Sequence, residues 1–398
     1  MLSFEDALSR ILDDAPALGN ESVDLVSSVG RILAQNMHAS TPIPAFDYSA
    51  MDGYAFAFAD LPADAPRLPV EGASRPGAVP LECVKEGTAC RIFTGAPIPP
   101  HADTVVAQED VRIEDGCIVF SRSVKPGQHV RRQGEDLALG AIAIPKGERL
   151  APRHLGLCAA LDLARLLVAQ KPRVTILTTG DEVRAVGTPA FPGSVVDGNG
   201  PMIGSLVSEA GATSLRVHAR DTPEDMREGV RKALQNSDLV LTIGGISVGA
   251  HDHVKEALVA EGVELDFWKV AIKPGKPLAY GRKDKIRVLG LPGNPAAAFV
   301  TATLFAVPLL RAMQGATQAR HAWMVLRAKH DMTLPQGRIE FARARIELDD
   351  QGVPSVALCG HQASGSNVGL ARANALAWLP DRGETLSAGD VVRVLPLM

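Results

Sequence analysis

Short apolar runs alternate with amphipathic segments along the second half of the chain. Four of these runs are rich in branched side chains and are typical of buried strands: 174–177, 215–218, 239–243 and 287–291. Each is followed by a segment with helical spacing, and Thr222 with Pro223 marks one helix start. Repeated strand–helix units predict a three-layer αβα domain over residues 171–318, with a mostly parallel sheet.

The loops that follow these strands carry most of the polar candidates. Residues 178–182, Asp221, residues 244–252 and residues 292–295 each come directly after a predicted strand. Ligands of open parallel sheets bind at the carboxyl ends of the strands. We therefore expect these four loops to gather on one edge of the sheet.

Gly244 and Gly245 end the strand at 239–243, and a helix is predicted to begin near Val254. Glycines permit a sharp turn and let a ligand approach the backbone, and free N–H groups before a helix attract oxyanions. A tight connection without a ligand is the simpler interpretation. His251 and His253 flank Asp252, but no third metal ligand is identifiable, so we predict hydrogen-bonding roles for them.

The remaining segments predict three further domains. Ser3 and Ser27 begin two predicted helices, the second running to about Gln35, and residues 152–169 form another, which together make a helical linker domain from 1–40 and 140–170. Residues 41–139 alternate short strands with turns such as Asp115-Gly116, which predicts a β-rich domain. Residues 319–398 are strand-like again and predict a small β-barrel-like domain.

Composition narrows the class of protein. With 46% apolar and 22% charged residues and a net charge of −4, the chain is typical of a globular protein and not of a nucleic-acid or anionic-membrane binder. The five cysteines lack C-x-x-C spacing, which favours a reducing cytoplasm over a disulfide framework. Residues 288–310 are uncharged, but prolines at 292 and 295 interrupt them, so we expect a buried helix and no membrane span.

The candidate chemistry is that of a phosphorylated ligand with a metal ion. Lys269, Lys273 and Lys276 supply positive charge, and loop carboxylates suit Mg²⁺. Residues 131–136 place two arginines beside two carboxylates, either as a surface ion-pair cluster or as a phosphate grip with a metal ligand. Motifs of P-loop, dinucleotide-binding, esterase and zinc-protease sites are absent from the sequence.

Seven motifs, in order, resemble the molybdopterin molybdenumtransferase family of the MoeA and gephyrin E-domain type. They are Ser-Ala-Met-Asp-Gly-Tyr-Ala from 49, Thr-Gly-Ala-Pro from 94, Arg-Arg with Gly-Glu-Asp over 131–136, Thr-Gly-Asp-Glu from 179, Gly-Gly-Ile-Ser-Val-Gly from 244 with Asp252, Lys-Pro-Gly-Lys-Pro from 273, and Gly-Leu-Pro-Gly-Asn-Pro from 290. The resemblance spans the chain from about residue 27 to its last residues.

The resemblance implies a homodimer whose αβα domain is of the molybdopterin-binding type. It implies insertion of molybdate into adenylyl-molybdopterin, with Mg²⁺-dependent release of AMP, in a cleft between one subunit's αβ domain and its partner's β-rich domain. A molybdopterin adenylyltransferase and apo-molybdoenzymes or their chaperones would be further partners.

The resemblance also assigns residue roles. The catalytic set is Asp52, Thr94, Asp136, Glu182, Asp221 and Asp252, of which Asp52, Asp136, Glu182 and Asp252 would hold the metal. Phosphates, pterin or molybdate would be bound by Arg131, Gly244, Gly245, Ser247, Lys269, Lys273, Lys276, Pro292 and Asn294. Ser364 or Ser366, in a loop at 360–367 that could equally be a plain surface loop, is a weaker addition.

Three positions depart from the family pattern. Ala250 replaces an acidic residue, His253 an aromatic one and Gly198 a hydroxyl residue. They leave open a preference for tungstate. A non-catalytic pterin-binding scaffold and a related adenylyltransferase remain alternatives, although the latter needs only the αβ domain.

Overall fold

The structure, a computed structural model, describes residues 1–62, 67–79, 83–246 and 253–397. The described residues form two compact units. Unit 1 comprises those of Met1–Gln35, Lys146–Ala151 and Arg165–Met398, and unit 2 those of Asn36–Pro145 and Pro152–Ala164. The predicted αβα domain and the C-terminal β-domain both belong to unit 1.

The first part of the chain supplies an N-terminal helix and most of unit 2. Its elements are α1 (Phe4–Asp13), β1 (Asn20–Asp24), β2 (Met37–His38), β3 (Tyr48–Ser49), β4 (Gly53–Phe56), β5 (Arg67–Ser74), β6 (Ala89–Ile92), β7 (Thr104–Ala107), β8 (Val111–Glu114), β9 (Cys117–Phe120), β10 (Val130–Arg131), β11 (Ile142–Ile144) and α2 (Pro152–Ala160). Ser3 caps α1 as predicted, because its side chain accepts the Asp6 N–H at 3.1 Å.

Unit 2 is built on a six-stranded sheet with the order β7-β4-β6-β5-β9-β8. All neighbours are antiparallel except β5 and β6. Its apolar side chains form two clusters, one around Ile92 and Val105 and the other around Phe56 and Val106. The predicted hairpin is confirmed, since Asp115 and Gly116 both have positive φ between β8 and β9.

The middle of the chain forms the αβα domain. Its elements are β12 (Arg165–Ala169), β13 (Arg173–Thr179), β14 (Val183–Arg184), β15 (Val195–Val196), α3 (Asn199–Glu209), β16 (Thr213–Ala219), α4 (Pro223–Leu234), β17 (Leu239–Ile243), α5 (Val254–Ala260), β18 (Glu264–Lys269), β19 (Ile272–Lys273), β20 (Pro277–Lys283), β21 (Ile286–Leu291), α6 (Pro295–Thr301) and α7 (Val307–Met313), with a π-helical turn at Ala302–Ala306.

The sheet order is β16-β13-β17-β21-β20-β18, with the first four strands parallel and the last two antiparallel to their neighbours. Helices α3, α6, α7 and α1 pack on one face, and α4 and α5 pack on the other. The predicted three-layer fold with a mostly parallel sheet is therefore confirmed.

The last part of the chain closes a small barrel. Its elements are β22 (Met324–Ala328), β23 (Met332–Thr333), β24 (Ile339–Leu348), β25 (Pro354–Leu358), α8 (Asn367–Ala371), β26 (Ala375–Leu379), β27 (Thr385–Leu386) and β28 (Val391–Pro396). The order β24-β25-β22-β28-β26 closes because β26 also pairs with β24. The C-terminal β-domain is thus confirmed as a five-stranded barrel.

Two helix predictions in the linker segments are wrong. Residues 27–35 contain only a short 3-10 turn, and Gly30, with φ of 79°, ends it. Isolated bridges then pair Ile32 with Arg149 and Leu33 with Val168. The helix predicted for 152–169 ends at Ala160, and β12 follows because it pairs along its whole length with β1.

One continuous helix among the described residues, Pro295–Met313, has the length and apolar composition of a membrane span. It is 83% buried inside the protein, as expected for a core helix. The predicted buried helix at this position is confirmed.

Candidate functional site

The loops after β13 and β16 meet at the carboxyl edge of the sheet. The Asp181 N–H donates to Asp221 Oδ2 and the Asp221 N–H donates to Asp181 Oδ1, each at 3.3 Å. Glu182 is exposed in the same loop, and its carboxylate lies against Gly180. Asp221 and Glu182 therefore both reach the edge where the sequence predicted them.

The Gly-Gly turn after β17 takes a conformation that only glycine tolerates well. Gly244 has φ of 89° and Gly245 of 63°, and a Cβ on Gly245 would overlap the Val254 side chain. The Gly244 N–H donates to the Leu291 carbonyl oxygen at 3.1 Å, which ties this turn to the end of β21. Ser247 and Asp252 lie outside the described residues.

The loop after β21 is held from two sides. The Asn199 side-chain amide at the start of α3 donates to the Gly293 carbonyl at 2.6 Å. The Asn294 amide donates to Ser364 Oγ at 3.0 Å, and the Ala296 N–H donates to the Ser364 carbonyl at 2.9 Å. Pro292 and Asn294 thus lie at the same edge, and Ser364 contacts Asn294 and Ala296 from the C-terminal domain.

The three lysines reach this edge by a less obvious route. Strand β20 is antiparallel to β21, and β18 is antiparallel to β20, so β18 runs in the same direction as β21. It therefore ends at the carboxyl edge, where Lys269 is opposite Pro277. Lys269 and Lys276 are exposed and have no ion-pair partner among the described residues. Lys273 instead pairs with Glu340 at 3.2 Å, which offsets part of the charge expected of it.

Asp52 and Thr94 form one group in unit 2. Asp52 Oδ1 accepts both the Thr94 N–H and the Thr94 hydroxyl, each at 2.8 Å. The backbone hydrogen bond, followed by the hydroxyl, lowers the pKa of Asp52 because both donors favour the ionised carboxylate. Oδ2 has no hydrogen-bond partner within the described part of the chain, so one oxygen is left for a ligand.

The arginines at 131 and 132 are engaged in ion pairs. Arg131 contacts Asp136 at 3.2 Å and also pairs with Glu135, while Arg132 contacts Asp47 at 2.7 Å. Of the two interpretations of residues 131–136, the surface ion-pair cluster matches these contacts. A phosphate could bind Arg131 only by competing with the Glu135 and Asp136 carboxylates. The Asp136 N–H donates to the Ile43 carbonyl, which fixes the loop that carries its carboxylate.

No group of three His, Cys, Asp or Glu side chains in the described ranges could hold a metal ion by itself. The four predicted metal ligands are divided between the two units, and Asp252 is outside the described residues. The magnesium site remains a prediction. The residue types fit it, because Asp52 and Glu182 present carboxylate oxygens without a hydrogen-bond partner in the part of the chain the structure describes.

Arg343 is a supporting residue that the sequence analysis missed. It is only 2% exposed, and its guanidinium donates to the carbonyl oxygens of His361 and Ala363 at 2.8 and 3.0 Å. These bonds order the loop that presents Ser364. The sequence signal was weak, because β24 also carries Glu340, Arg345 and Glu347, so one more charged residue did not stand out. Burial of the Arg343 charge requires hydrogen-bond acceptors.

Comparison with known proteins adds full-length similarity to this geometry. Three family models match in succession: the MoeA N-terminal region (domain I and II) over residues 2–161, a probable molybdopterin binding domain over 175–312, and the MoeA C-terminal region (domain IV) over 325–397. Proteins named molybdopterin molybdenumtransferase are similar along their length. The one from Haemophilus influenzae is 34% identical over 402 residues, covering 100% of this chain and 98% of the relative, and the one from Nostoc sp. is 34% identical over 411 residues, covering 100% and 94%.

Solved structures are similar over the same length. A crystal structure of the molybdopterin biosynthesis moeA protein from Pyrococcus horikoshii OT3 matches with a TM-score of 0.86 at 29% identity, covering 100% of both chains. A second crystal structure of a protein of that description, from the same organism, matches with a TM-score of 0.83 at 30% identity, covering 100% of this chain and 99% of the other.

Proposed function

Because this chain belongs to the molybdopterin molybdenumtransferase family and is a transferase of molybdenum cofactor biosynthesis, we propose that it inserts molybdate into adenylyl-molybdopterin and releases AMP in a Mg²⁺-dependent reaction. One observation carries the proposal. The Gly244–Gly245 turn, the loop at 292–294 and the lysines at 269–276 line up along one edge of the parallel sheet. This edge combines glycine turns, which let a ligand approach the backbone, with the positive charge of Lys269 and Lys276, which suits phosphates and molybdate.

The carboxylates have a different role from the lysines, because they would bind a metal ion. A phosphoanhydride next to several carboxylates would be repelled, so the proposal requires a divalent cation at Asp52, Asp136, Glu182 and Asp252. When bound, Mg²⁺ would polarise the phosphoanhydride and orient the attacking oxygen. Asp52 is suited to this role because the two Thr94 donors hold Oδ1 and keep the group ionised.

The proposal includes a homodimer in the cytoplasm. Each active site would take its αβ residues from one subunit and its β-rich residues from the other, as the family resemblance implies. A molybdopterin adenylyltransferase would supply the substrate, and apo-molybdoenzymes or their chaperones would receive the product.

The test is direct. Purified protein, adenylyl-molybdopterin, Mg²⁺ and molybdate are mixed, and AMP is followed by chromatography. We expect AMP release that requires both Mg²⁺ and the oxyanion, and loss of that release in Asp52→Asn. Substrate that stays intact under these conditions would contradict the proposed reaction and favour a non-catalytic scaffold.

Oxyanion preference is measured in the same assay with tungstate in place of molybdate. Gly198 is relevant here, because the space where its Cβ would point is open within 4 Å. A larger product yield with tungstate than with molybdate at equal concentrations would reassign the substrate without changing the reaction class.

A further inference from the structure

Arg91 lies beside Asp52 and is packed between two aromatic rings. Its strand β6 pairs with β4, which places Arg91 opposite Tyr54. The guanidinium carbon is 5.0 Å from the Tyr54 ring centre and 5.1 Å from the Phe93 ring centre. Contact with two ring faces fixes the plane of the guanidinium and therefore the directions of its N–H groups.

Those N–H groups bracket Asp52. One terminal nitrogen donates to the carbonyl oxygen of Gly53 at 3.3 Å, and the other donates to Gln108 Oε1 at 2.5 Å. The Gln108 backbone N–H in turn donates to the carbonyl oxygen of Asp52 at 3.0 Å. Arg91 thus closes a ring of contacts that runs through Gly53, Asp52 and Gln108.

The backbone at this point has little freedom to move away. A Cβ on Gly53 would overlap the carbonyl oxygen of Val106, so β4 and β7 lie too close together at this point for any other residue. With its backbone held by Arg91 and Gln108, Asp52 has only its side chain left to orient. Thr94 orients that side chain through the two hydrogen bonds to Oδ1.

We infer that Arg91 is a positioning residue for Asp52, holding the Asp52–Gly53 backbone so that Oδ2 is presented in one place. The inference rests on the proposed function, in which Asp52 serves the reaction. In this role Arg91 acts through Asp52 and needs no contact of its own with the ligand. The role needs a planar group with two separate donors, which lysine does not offer.

The test compares Arg91→Lys and Arg91→Met with Arg75→Lys. Arg75 also lies over Phe93, at 5.5 Å, but its side chain has no hydrogen bond or ion pair to any described residue, so it is the matched control. We expect kcat for AMP release to fall about 10- to 100-fold in both Arg91 variants with little change in KM, because a misplaced group affects the transition state most. Arg75→Lys should match the wild type.

A second readout does not depend on activity. Hydrogen exchange of the Thr94 and Gln108 amides, which donate to Asp52, should be about tenfold faster in Arg91→Lys and unchanged in Arg75→Lys. Wild-type exchange and kcat in Arg91→Lys would overturn the inference. Failure of the wild type to release AMP would contradict the proposed function, while amide exchange would still decide the role of Arg91.

Gln108→Ala covers the case in which the Arg91 variants do not fold. The Gln108 side chain is exposed, so its removal takes one acceptor from Arg91 without disturbing the core. It should produce a smaller change of the same sign in kcat and in exchange of the Thr94 amide. An unchanged kcat and unchanged exchange would count against the inference.

Discussion

The ionisation of Asp52 depends more on its hydrogen-bond donors than on its burial in the protein. Asp52 is only partly buried, yet both Thr94 donors converge on one oxygen and lower its pKa. The carboxylate therefore stays ionised through the neutral and mildly acidic range, which is the form a cation needs. The family motifs singled out both residues, but they gave no indication that the two share a hydrogen bond.

Thr94→Val tests the hydroxyl half of this arrangement. The backbone N–H still donates to Oδ1, but one of two donors is lost, so we expect kcat to fall about tenfold. Thr94→Ser keeps the hydroxyl and should retain most of the activity. Equal activity of the valine and wild-type proteins would show that orientation of Asp52 by the hydroxyl is unimportant.

Other site residues required the three-dimensional structure. Lys273 was predicted from its charge and its family motif as a free cation, whereas the structure pairs it with Glu340 from the C-terminal barrel. Arg343 and Ser364 belong to the same edge only because β24 and the loop at 360–367 pack there. The Lys273–Glu340 and Asn294–Ser364 contacts join residues 67 and 70 positions apart, which motif spacing along one chain does not reveal.

At the scale of elements, periodicity predicted the αβα domain well and the linker segments poorly. Strands β13, β17 and β21 are buried runs bounded by turn residues, so their pattern is unambiguous, whereas β16 is a mostly exposed edge strand. Residues 166–169 are also an apolar run, but β12 forms because β1 lies opposite it. A short apolar run fits both helix and strand, and the pairing partner decided between them.

The turn at 273–277 is an element whose shape depends on one glycine. Gly275 has φ of 104°, and a Cβ would overlap the Thr301 side chain. We expect Gly275→Ala to lower the free energy of unfolding by at least about 2 kcal/mol and to weaken binding of the substrate through Lys276. Gly187→Ala is the control, because Gly187 has φ of 82° with open space around it and should lose only about 1 kcal/mol. Equal losses, measured by denaturant unfolding, would show that steric overlap is not the cause.

His321, which packs against the π-helical turn at Ala302–Ala306, should make stability depend on pH. His321 contacts the Thr303 carbonyl oxygen through Nε2 at 2.6 Å, and burial lowers the pKa of His321 to about 4. The unfolded chain, with a histidine pKa near ~6.5, binds the proton more readily between these values, so stability should fall by about 1–3 kcal/mol as pH drops from ~6.5 to ~4.

His321→Gln separates this effect from the loss of a hydrogen bond. The amide can still donate to the Thr303 carbonyl but does not titrate, so its free energy of unfolding should change less over that pH interval. The measurement is denaturant unfolding of both proteins at several pH values. Parallel pH profiles would remove His321 as the cause.

At the scale of the whole molecule, the proposed reaction draws on both units, and the homodimer proposal can be tested by mixing subunits. Asp52→Asn and Glu182→Gln should each be inactive as homodimers. If each site combines residues of two subunits, half of the heterodimer's sites are intact, and exchange should restore about a quarter of wild-type activity. No recovery in a mixture shown by mass to contain heterodimers would contradict a shared site.

Helix α1 links the first residues of the chain to some of the last. The Phe4 ring packs at 5.4 Å from Phe305, 4.9 Å from Phe341 and 5.2 Å from Trp378. During synthesis on the ribosome, the Phe4 ring therefore remains exposed until almost the entire polypeptide has emerged. Unit 2, whose segments end at Ala164, can complete itself long before that. During translation, unit 2 should consequently fold while the apolar face of helix α1 still lacks its packing partners. We expect a chaperone to bind that exposed helix before other segments.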